Sequence, residues 1–446
     1  MTLEPSGRTL DPRVMARLSK VTLTGMEKSM PHRAAGHDVG GFLASSPRLS
    51  EFSTPLLVLT DLELEHNLTV MSEWCAGRGL GLAPHGKTTM APALWERQLA
   101  AGAWGISLAT PSQLRVAVEF GVRRIQLANA LVDPPSLRWV SSRLDDDPEL
   151  QILSWVDSPE TVAAMEGVLA ELSPQRPLTV LIELGAPGGR TGARTVEEAK
   201  HVARAVSSSR WLRLAGVSGY EGALAHDASD AGLHAVRGYL EQLAALHRSL
   251  LADGEYAGVD DLVVTAGGSA YFDEVADALG PLADPEGASG PRCSVLLRSG
   301  AYIIHDDGFY RMISPLGRTP GQTPLRSAMH AWARVVSRPQ PGLALLDAGK
   351  RDVPFDEGLP EPQLYADQLG SPTKPLTGAR VTAVNDQHAF LELDPDGSGA
   401  DLRVGQVVRL GLSHPCTAFD KWRMIPVLPD SDGDDPVVVD LVQTFF

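Results

Sequence analysis

Short apolar segments alternate with longer amphipathic segments over the first two thirds of the chain. Eight of the apolar segments are rich in Leu, Val and Ile: LLVLT (56–60), LGLAP (80–84), GISLA (105–109), RIQLA (124–128), QILSWV (151–156), LTVLIEL (178–184), LRLAGV (212–217) and LVVTA (262–266). Runs that are apolar on both faces and alternate with helix-length segments are typical of parallel strands joined by crossover helices. Eight such units predict an α/β fold, a closed (β/α)8 TIM barrel. A doubly wound open sheet is the alternative, because periodicity does not show that a sheet closes.

The pattern changes after Pro315. Short Val-rich runs such as HAWARVVSRP, RVTAVN and VGQVVRLG are separated by Pro, Gly and Asn-Asp turns. This pattern predicts a C-terminal, mainly antiparallel β domain. We therefore predict three parts: an N-terminal arm at 1–53 that packs on the β domain, a barrel at 54–315, and the β domain at 316–446.

Composition narrows the possible functions. The chain has 446 residues, a formal net charge of −16 and no Lys/Arg-rich cluster, which argues against nucleic acid and anionic membranes as partners. Its polar start and the lack of any apolar run near the ~18 residues of a membrane span predict a cytoplasmic protein. Three scattered cysteines (Cys75, Cys293 and Cys416) are too few for a disulfide framework. Small-molecule chemistry is therefore expected.

Lys87 lies in the stretch GLAPHGKTTM, which contains the spacing G-x-x-x-x-G-K-T of a phosphate-binding loop. Such a loop would need a Gly-rich turn that leads into a helix, whereas Pro84 and His85 stand here. Lys87 instead follows the predicted second strand of a barrel, at the strand end where barrel enzymes carry their catalytic side chains. A lysine in a desolvated barrel mouth is a competent nucleophile toward an aldehyde. A solvated surface lysine is the alternative on residue type alone.

Three segments together resemble a known family. TPLLVLTDLELEHN, PHGKTTMAP and SHPCTAFDKW are similar to segments of the D-serine dehydratase and D-threonine aldolase family. That family has the alanine racemase-like fold of the fold-type III pyridoxal phosphate enzymes. The resemblance runs from Thr54 to the C-terminus, and its most specific motifs are PHGKT and HPC-x-x-F-D. It implies that Lys87 is the catalytic residue and forms the Schiff base with pyridoxal 5'-phosphate.

The glycine-rich turn in TAGGSAYFD follows the predicted eighth strand. Such a turn exposes backbone N–H groups to a phosphate at the start of a helix, although glycines also serve plain turns. We therefore predict a phosphate cradle at Gly267, Gly268 and Ser269. By resemblance, the Gly300 and Ala301 amides complete the phosphate site and Arg298 faces the pyridine nitrogen of the cofactor.

Two further residues are predicted to contact the cofactor. Arg190, in ELGAPGGRTG, matches a family arginine that approaches the phenolic oxygen of the cofactor. A surface arginine paired with Glu197 or Glu198 is the alternative. Tyr220 ends the predicted seventh strand, where an amphipathic ring could stack on the cofactor or simply belong to the core.

His414 and Cys416 form a second candidate site. In an extended segment residues i and i+2 point to the same side, so this imidazole and thiolate would converge. Zinc prefers these two ligand types, although Cys is often merely buried. The resemblance strengthens the metal interpretation, because dehydratase-like members carry His and Cys here whereas many D-threonine aldolases carry His and Asp. Manganese is the alternative ion.

These predictions combine into one function. We expect a pyridoxal phosphate- and zinc-dependent dehydratase that converts a D-3-hydroxy amino acid such as D-serine to a 2-oxo acid and ammonia. The alternatives, in order, are retro-aldol cleavage to glycine and an aldehyde, amino acid racemisation, and a non-enzymatic carrier of pyridoxal phosphate. The resemblance also implies a homodimer.

Overall fold

The computed structural model describes residues 10–288, 290–430 and 434–446, so the first nine residues of the predicted arm lie outside the described residues. The strands are β1 (Leu56–Thr60), β2 (Gly81–Leu82), β3 (Ile106–Leu108), β4 (Arg124–Ala130), β5 (Gln151–Val156), β6 (Leu178–Leu184), β7 (Leu212–Gly219), β8 (Asp261–Ala266), β9 (Arg292–Leu297), β10 (Met329–Gln340), β11 (Leu343–Leu346), β12 (Glu361–Ala366), β13 (Lys374–Pro375), β14 (Ala379–Val384), β15 (Ala389–Leu393), β16 (Val407–Gly411), β17 (Met424–Leu428) and β18 (Asp440–Gln443).

The α-helices alternate with the parallel strands and then become short. They are α1 (Pro12–Met15), α2 (Val39–Ala44), α3 (Asp61–Ala76), α4 (Pro92–Ala100), α5 (Pro111–Glu119), α6 (Pro134–Asp146), α7 (Pro159–Leu172), α8 (Val196–Ser207), α9 (Asp230–Ala252), α10 (Phe272–Leu279), α11 (Phe309–Ile313), α12 (Pro315–Arg318) and α13 (Pro415–Phe419). Several begin at a side-chain cap: Thr110, Ser158 and Thr195 each accept the N–H of the residue three positions on. Within the described part of the chain, no helix is long and apolar enough to cross a membrane.

Strands β2 to β9 form an 8-stranded parallel sheet in the order β2-β9-β8-β7-β6-β5-β4-β3. The two edge strands meet, because the Trp104 N–H donates to the Leu82 carbonyl (2.7 Å) and the Ser107 N–H to the Pro84 carbonyl (2.9 Å). The sheet is therefore closed, and the predicted (β/α)8 barrel is confirmed. Its interior is packed with apolar side chains such as Trp155, Leu181 and Val263.

The assignment of individual strands needs one correction. The segment LLVLT forms β1, which pairs with β10 and β17 in the other sheet, so the prediction that it is the first barrel strand is wrong. The barrel instead ends with β9, which the sequence analysis missed. The segment predicted as the second barrel strand is therefore the first, and the position of each later predicted strand in the barrel shifts in the same way. Lys87 consequently follows the first barrel strand. All five residues of β1 are buried, which suits either sheet.

The second sheet has ten strands and is mainly antiparallel, as predicted. Its main order is β13-β12-β16-β10-β1-β17-β18, and β11, β15 and β14 continue from β10. Described residues of the N-terminal arm, including Leu23, Phe42 and Phe52, share one hydrophobic core with Trp332 and Met424 of this sheet. Burying such large side chains stabilises the fold by about 1.5–3 kcal/mol each.

The chain divides into two compact units that interrupt each other along the sequence. The first contains Met71–Lys87 and Glu96–Gly300, and the second contains Asp11–Val70, Thr88–Trp95 and Ala301–Phe446. The chain therefore passes from the first unit to the second directly after Lys87, and again directly after Gly300.

His247 on α9 makes the stability of the barrel unit dependent on pH. Its ring is buried, and Nδ1 lies 3.2 Å from the Tyr256 hydroxyl. Burial, assisted by the positive charge of Arg248, lowers the pKa of His247 to about 4. Because the unfolded chain binds this proton at about pH 6.5, the stability contributed by the neutral ring is complete above pH 6.5 and is lost as pH falls toward 4.

Replacing His247 by Gln should weaken this pH dependence. The free energy of unfolding should decrease between pH 7.5 and pH 5 in both proteins. We expect this decrease to be smaller in His247→Gln than in the unmodified protein, by on the order of 2 kcal/mol. Urea titrations at both pH values would measure the difference. His388→Gln, at an exposed turn, is the control and should leave the slope unchanged. Equal slopes for all three proteins would contradict the prediction.

Candidate functional site

A buried arginine marks the carboxyl ends of the barrel strands. Arg298, directly after β9, donates from Nη1 to Thr265 Oγ1 at 2.7 Å and from Nη2 to the Gly219 carbonyl. Its guanidinium also lies 5.0 Å from the centre of the Trp155 ring. Burial lowers the pKa of Arg298, and the carboxylate of Glu221 opposes that shift most strongly. The barrel interior is thus apolar in its body and carries a partnered cation at this end.

Glu221 binds the turn that was predicted to cradle a phosphate. Its fully buried carboxylate accepts the Gly267 N–H (3.0 Å) and the Gly268 N–H (2.8 Å). Gly267 has a φ of +96°, a conformation that favours glycine. Both amides therefore already have an acceptor. Phosphate binding by Gly267, Gly268 and the half-buried Ser269 stays a prediction, and it would require Glu221 to share or release the two amides.

His85 connects several of the predicted cofactor residues. Lys87 lies in a turn of 3-10 helix, Gly86–Thr88, two residues after His85. Burial lowers the pKa of His85 well below its ordinary value, and the positive charges of Lys87, Arg298 and Arg190 lower it further. The three cations are therefore close enough to act on one imidazole. Sequence analysis did not select His85, although its position inside the PHGKT motif was a usable signal.

Gly300 lies against the backbone of His85. A Cβ atom at position 300 would come within 2.5 Å of the His85 carbonyl oxygen, so this position requires glycine. Ala301 is buried and begins the short 3-10 helix Ala301–Ile303 in the second unit. Phosphate binding by the two amides stays a prediction.

Arg190 and Tyr220 contact each other. The guanidinium of Arg190 lies 4.5 Å from the centre of the Tyr220 ring, a cation–π geometry. The same ring packs on Gly268, where a Cβ atom would come within 3.1 Å of it. Glu198, the suggested surface partner of Arg190, instead accepts the backbone N–H groups of Arg194 and Thr195. The structure thus joins Arg190, Tyr220 and the glycine turn.

The barrel end fits an anionic, heteroaromatic cofactor. Among the described barrel residues, five buried polar atoms have no hydrogen-bond partner. Three are His85 Nδ1, Gln126 Nε2 and Trp155 Nε1, and the other two, Trp104 Nε1 and Gln151 Oε1, lie at or just before the first residues of β3 and β5. Buried polar groups normally have partners, so an unpaired group indicates a bound molecule or water. With the cations Lys87, Arg190 and Arg298 nearby, the chemistry of this set suits pyridoxal 5'-phosphate.

The second candidate site lies in the β-domain unit and has an unexpected backbone. His414 and Cys416 are not in an extended segment, so that part of the prediction is wrong. His414 has a φ of 53° and caps α13, whose first turn contains Cys416. The two side chains nevertheless interact, because Cys416 is among the groups that hydrogen-bond to the His414 ring.

Charge around His414 favours a cation at this position. Burial disfavours the charged imidazole, but Cys416 and Asp356 outweigh it and raise the pKa of His414 to about 9. At neutral pH the ring therefore holds a proton that a metal ion would displace. Imidazole and thiolate are the donors that zinc prefers. No group of three or more metal-ligating side chains occurs among the described residues.

Cys416 is also held from its other side. Its thiol lies 3.5 Å from the Thr88 hydroxyl, to which it donates. Thr88 is the next residue in the chain after Lys87. Cys75 and Cys293 differ from Cys416, since burial raises the pKa of each to about 12 and leaves it inert.

A closed barrel followed by a β domain is the fold of the alanine racemase-like structures to which this chain is similar. The alanine racemase of Clostridium difficile superimposes with a TM-score of 0.56 at 11% identity, covering 88% of this chain and 99% of that one. Within this class, residues 328–428 match the family model of the putative serine dehydratase domain.

Relatives with named activities confirm the resemblance to the D-serine dehydratase and D-threonine aldolase family. D-threonine aldolase of Arthrobacter sp is 26% identical over 87% of this chain and 92% of its own length. A 3-hydroxy-D-aspartate aldolase of Paracoccus denitrificans is 24% identical over 85% of this chain and 90% of its own length. The D-threo-3-hydroxyaspartate dehydratase of Delftia sp. HT23 superimposes with a TM-score of 0.68 at 21% identity, covering 89% of this chain and 99% of that one. D-threonine aldolase of Filomicrobium marinum superimposes with a TM-score of 0.71 at 23% identity, covering 89% of this chain and 96% of that one.

Removing the Glu221 carboxylate should destabilise the barrel end. Glu221→Ala leaves two buried N–H groups without an acceptor and Arg298 without its main counter-charge, so we expect the free energy of unfolding to fall on the order of 3 kcal/mol. Glu171→Ala on α7, which removes an exposed carboxylate paired with Arg138, is the control and should change little. Urea unfolding measures both. Similar stabilities for the two variants would show that Glu221 does not hold the turn.

Proposed function

We propose that the protein is a pyridoxal phosphate-dependent lyase that dehydrates a D-3-hydroxy amino acid, such as D-serine, to a 2-oxo acid and ammonia. The observation that carries the proposal is the placement of His414 and Cys416 together at the start of α13, because an imidazole and a thiol form a donor pair that favours zinc. Among the similar structures, D-threo-3-hydroxyaspartate dehydratase was also solved as variants in which a histidine or a cysteine is replaced by Ala. The cysteine variant is described as metal-free.

Each barrel residue has a role in this proposal. Pyridoxal 5'-phosphate, when bound, supplies an electron sink for the pair left when the Cα–H bond breaks. Lys87 would hold the cofactor and, once displaced by the substrate amine, accept the Cα proton on Nζ. Arg190 and Tyr220 would orient the ring. Arg298 would keep a positive charge facing the pyridine nitrogen, as the resemblance implies.

The second site would activate the leaving group. His414 and Cys416 would hold zinc, which supplies Lewis acidity to the substrate β-hydroxyl. Hydroxide is a poor leaving group without such assistance, so the donor pair favours elimination. Manganese is the alternative ion, although a thiolate suits it less well than a carboxylate does.

Retro-aldol cleavage is the second candidate. It is supported by the similarity to D-threonine aldolase and 3-hydroxy-D-aspartate aldolase over most of the chain. In that reaction a base removes the β-hydroxyl proton, and the products are glycine and an aldehyde. Racemisation and cofactor carriage have less support, because neither explains the His414–Cys416 pair. The expected homodimer stays a prediction.

The cofactor should be fixed by reduction at Lys87. We expect borohydride treatment of the loaded protein to attach a phosphopyridoxyl group to the peptide that contains Lys87, as detected by mass spectrometry. Lys87→Ala should lose this label and the visible absorbance of the cofactor. Lys374→Ala, at an exposed position of β13, should keep both. A label on another lysine would refute the assignment.

Product analysis tests the reaction itself. We expect D-serine, D-threonine or D-threo-3-hydroxyaspartate to give a 2-oxo acid and ammonia, measured against glycine and aldehyde in the same samples. Removing the metal with a chelator should lower dehydration by at least about tenfold without releasing the cofactor, and zinc should restore it. Glycine and aldehyde as the main products would favour the aldolase, and full dehydration without metal would remove the proposed role of zinc.

A further inference from the structure

Asp356 contacts one of the two ring nitrogens of His414. Its Oδ2 lies 2.6 Å from His414 Nδ1. An imidazole has two ring nitrogens, and a hydrogen bond to one of them decides which tautomer is present. With Nδ1 bonded to a carboxylate, Nε2 is the nitrogen left to coordinate an ion. Once a metal ion displaces the second ring proton, this contact therefore leaves Nε2 as the coordinating atom.

The Asp356 carboxylate is itself fixed. Its second oxygen, Oδ1, accepts the Thr417 hydroxyl at 2.7 Å. Thr417 lies in α13, the helix that His414 caps and that carries Cys416. Carboxylate, imidazole and thiol are thus tied to one short helix, so a change in the orientation of Asp356 would turn the ring relative to Cys416.

The backbone of His414 is held separately from its ring. Asp306, which is buried, accepts the His414 N–H at its Oδ2 (3.0 Å) and the Gly308 and Tyr310 N–H groups at its Oδ1. The Asp306 carboxylate fixes the position of the His414 backbone, whereas Asp356 fixes the orientation of its ring. Loss of Asp356 should therefore leave the loop in place and free only the ring.

We propose that Asp356 is a positioning residue for the metal ion, forming a carboxylate–imidazole–metal arrangement through His414. The inference rests on the proposed function, since it assumes that His414 and Cys416 bind zinc. A carboxylate in this position orients the ring and makes the coordinating nitrogen a stronger donor. The Asp356 side chain is 40% exposed and that of His414 is 23% exposed, which places the carboxylate toward solvent from the ring.

The rival interpretation is that Asp356 coordinates the ion directly. Replacing it by Asn separates the two interpretations. The Asn carbonyl can still accept the Nδ1–H of His414, but a neutral amide is a poor substitute for a carboxylate ligand. A positioning role predicts that Asp356→Asn retains much more zinc affinity than Asp356→Ala, whereas direct coordination predicts similar losses for both.

Zinc affinity of the cofactor-loaded protein, measured by competition with a chromophoric chelator, is the test. We expect Asp356→Ala to bind zinc about 10–100-fold more weakly than the unmodified protein, and Asp356→Asn to lie between them. Asp386→Asn is the matched control, because it removes an exposed carboxylate paired with Arg351, and it should bind zinc as the unmodified protein does. In the cobalt-substituted proteins the thiolate-to-cobalt absorption should persist in Asp356→Asn.

Several outcomes would overturn the inference. Unchanged zinc affinity in Asp356→Ala, or an equal loss in Asp386→Asn, would show that Asp356 has no specific role. Equal losses in the Ala and Asn variants would indicate direct coordination. If Asp356→Ala does not fold, the test uses Asp356→Asn and Thr417→Val instead. The second substitution removes the hydroxyl that donates to Asp356. Unchanged zinc affinity in both variants would overturn the inference. Absence of zinc binding in the unmodified protein would instead refute the proposed metal site, and this inference with it.

Discussion

The barrel closes at its shortest strand, β2, and the candidate cofactor site depends on that closure. Strand β2 has only two residues in the ladder with β9, and single hydrogen bonds connect it to β3. His85 spans the closure, because its N–H donates to the Arg298 carbonyl (3.2 Å) and it forms a parallel bridge with Ser107. Lys87 leaves the sheet two residues later. The relative positions of the lysine and the buried arginine are therefore set by backbone hydrogen bonds, which side-chain substitutions alter least.

Sequence patterns predicted the class of the fold but not the membership of every strand. Alternation of apolar runs and helices indicates parallel strands, and that inference held for β2 to β8. It failed for β1, because a strand buried on both faces has the same composition in a barrel as in the centre of an antiparallel sheet. Strand β9, in PRCSVLLRSG, was missed because eight runs had already been counted and Arg, Cys and Ser make its first half more polar.

The candidate site was predicted where its residues lie in compact motifs. Lys87, His414 and Cys416 could be selected from short segments, because spacing and residue type are visible there. Glu221 and Asp356 could not, since each acts on a partner that is distant in sequence: 46 residues separate Glu221 from Gly267, and 58 separate Asp356 from His414. An acidic residue in a loop has no periodic pattern, and only the folded backbone shows which group it meets. The one local signal was the position of Glu221 directly after Tyr220.

The membership of β1 in the second sheet has a consequence for biosynthesis. Its residues pair with β10, for example Leu57 with Ala331, and with β17, for example Leu59 with Val427. Roughly 270 further residues must leave the ribosome before the first partner exists, which takes on the order of 15–50 s at ~5–20 residues per second. During that time the nascent chain carries LLVLT without its neighbours, while the intervening barrel strands are being made. Chaperones would be needed most in this interval, when an apolar strand with an unpaired edge is open to aggregation.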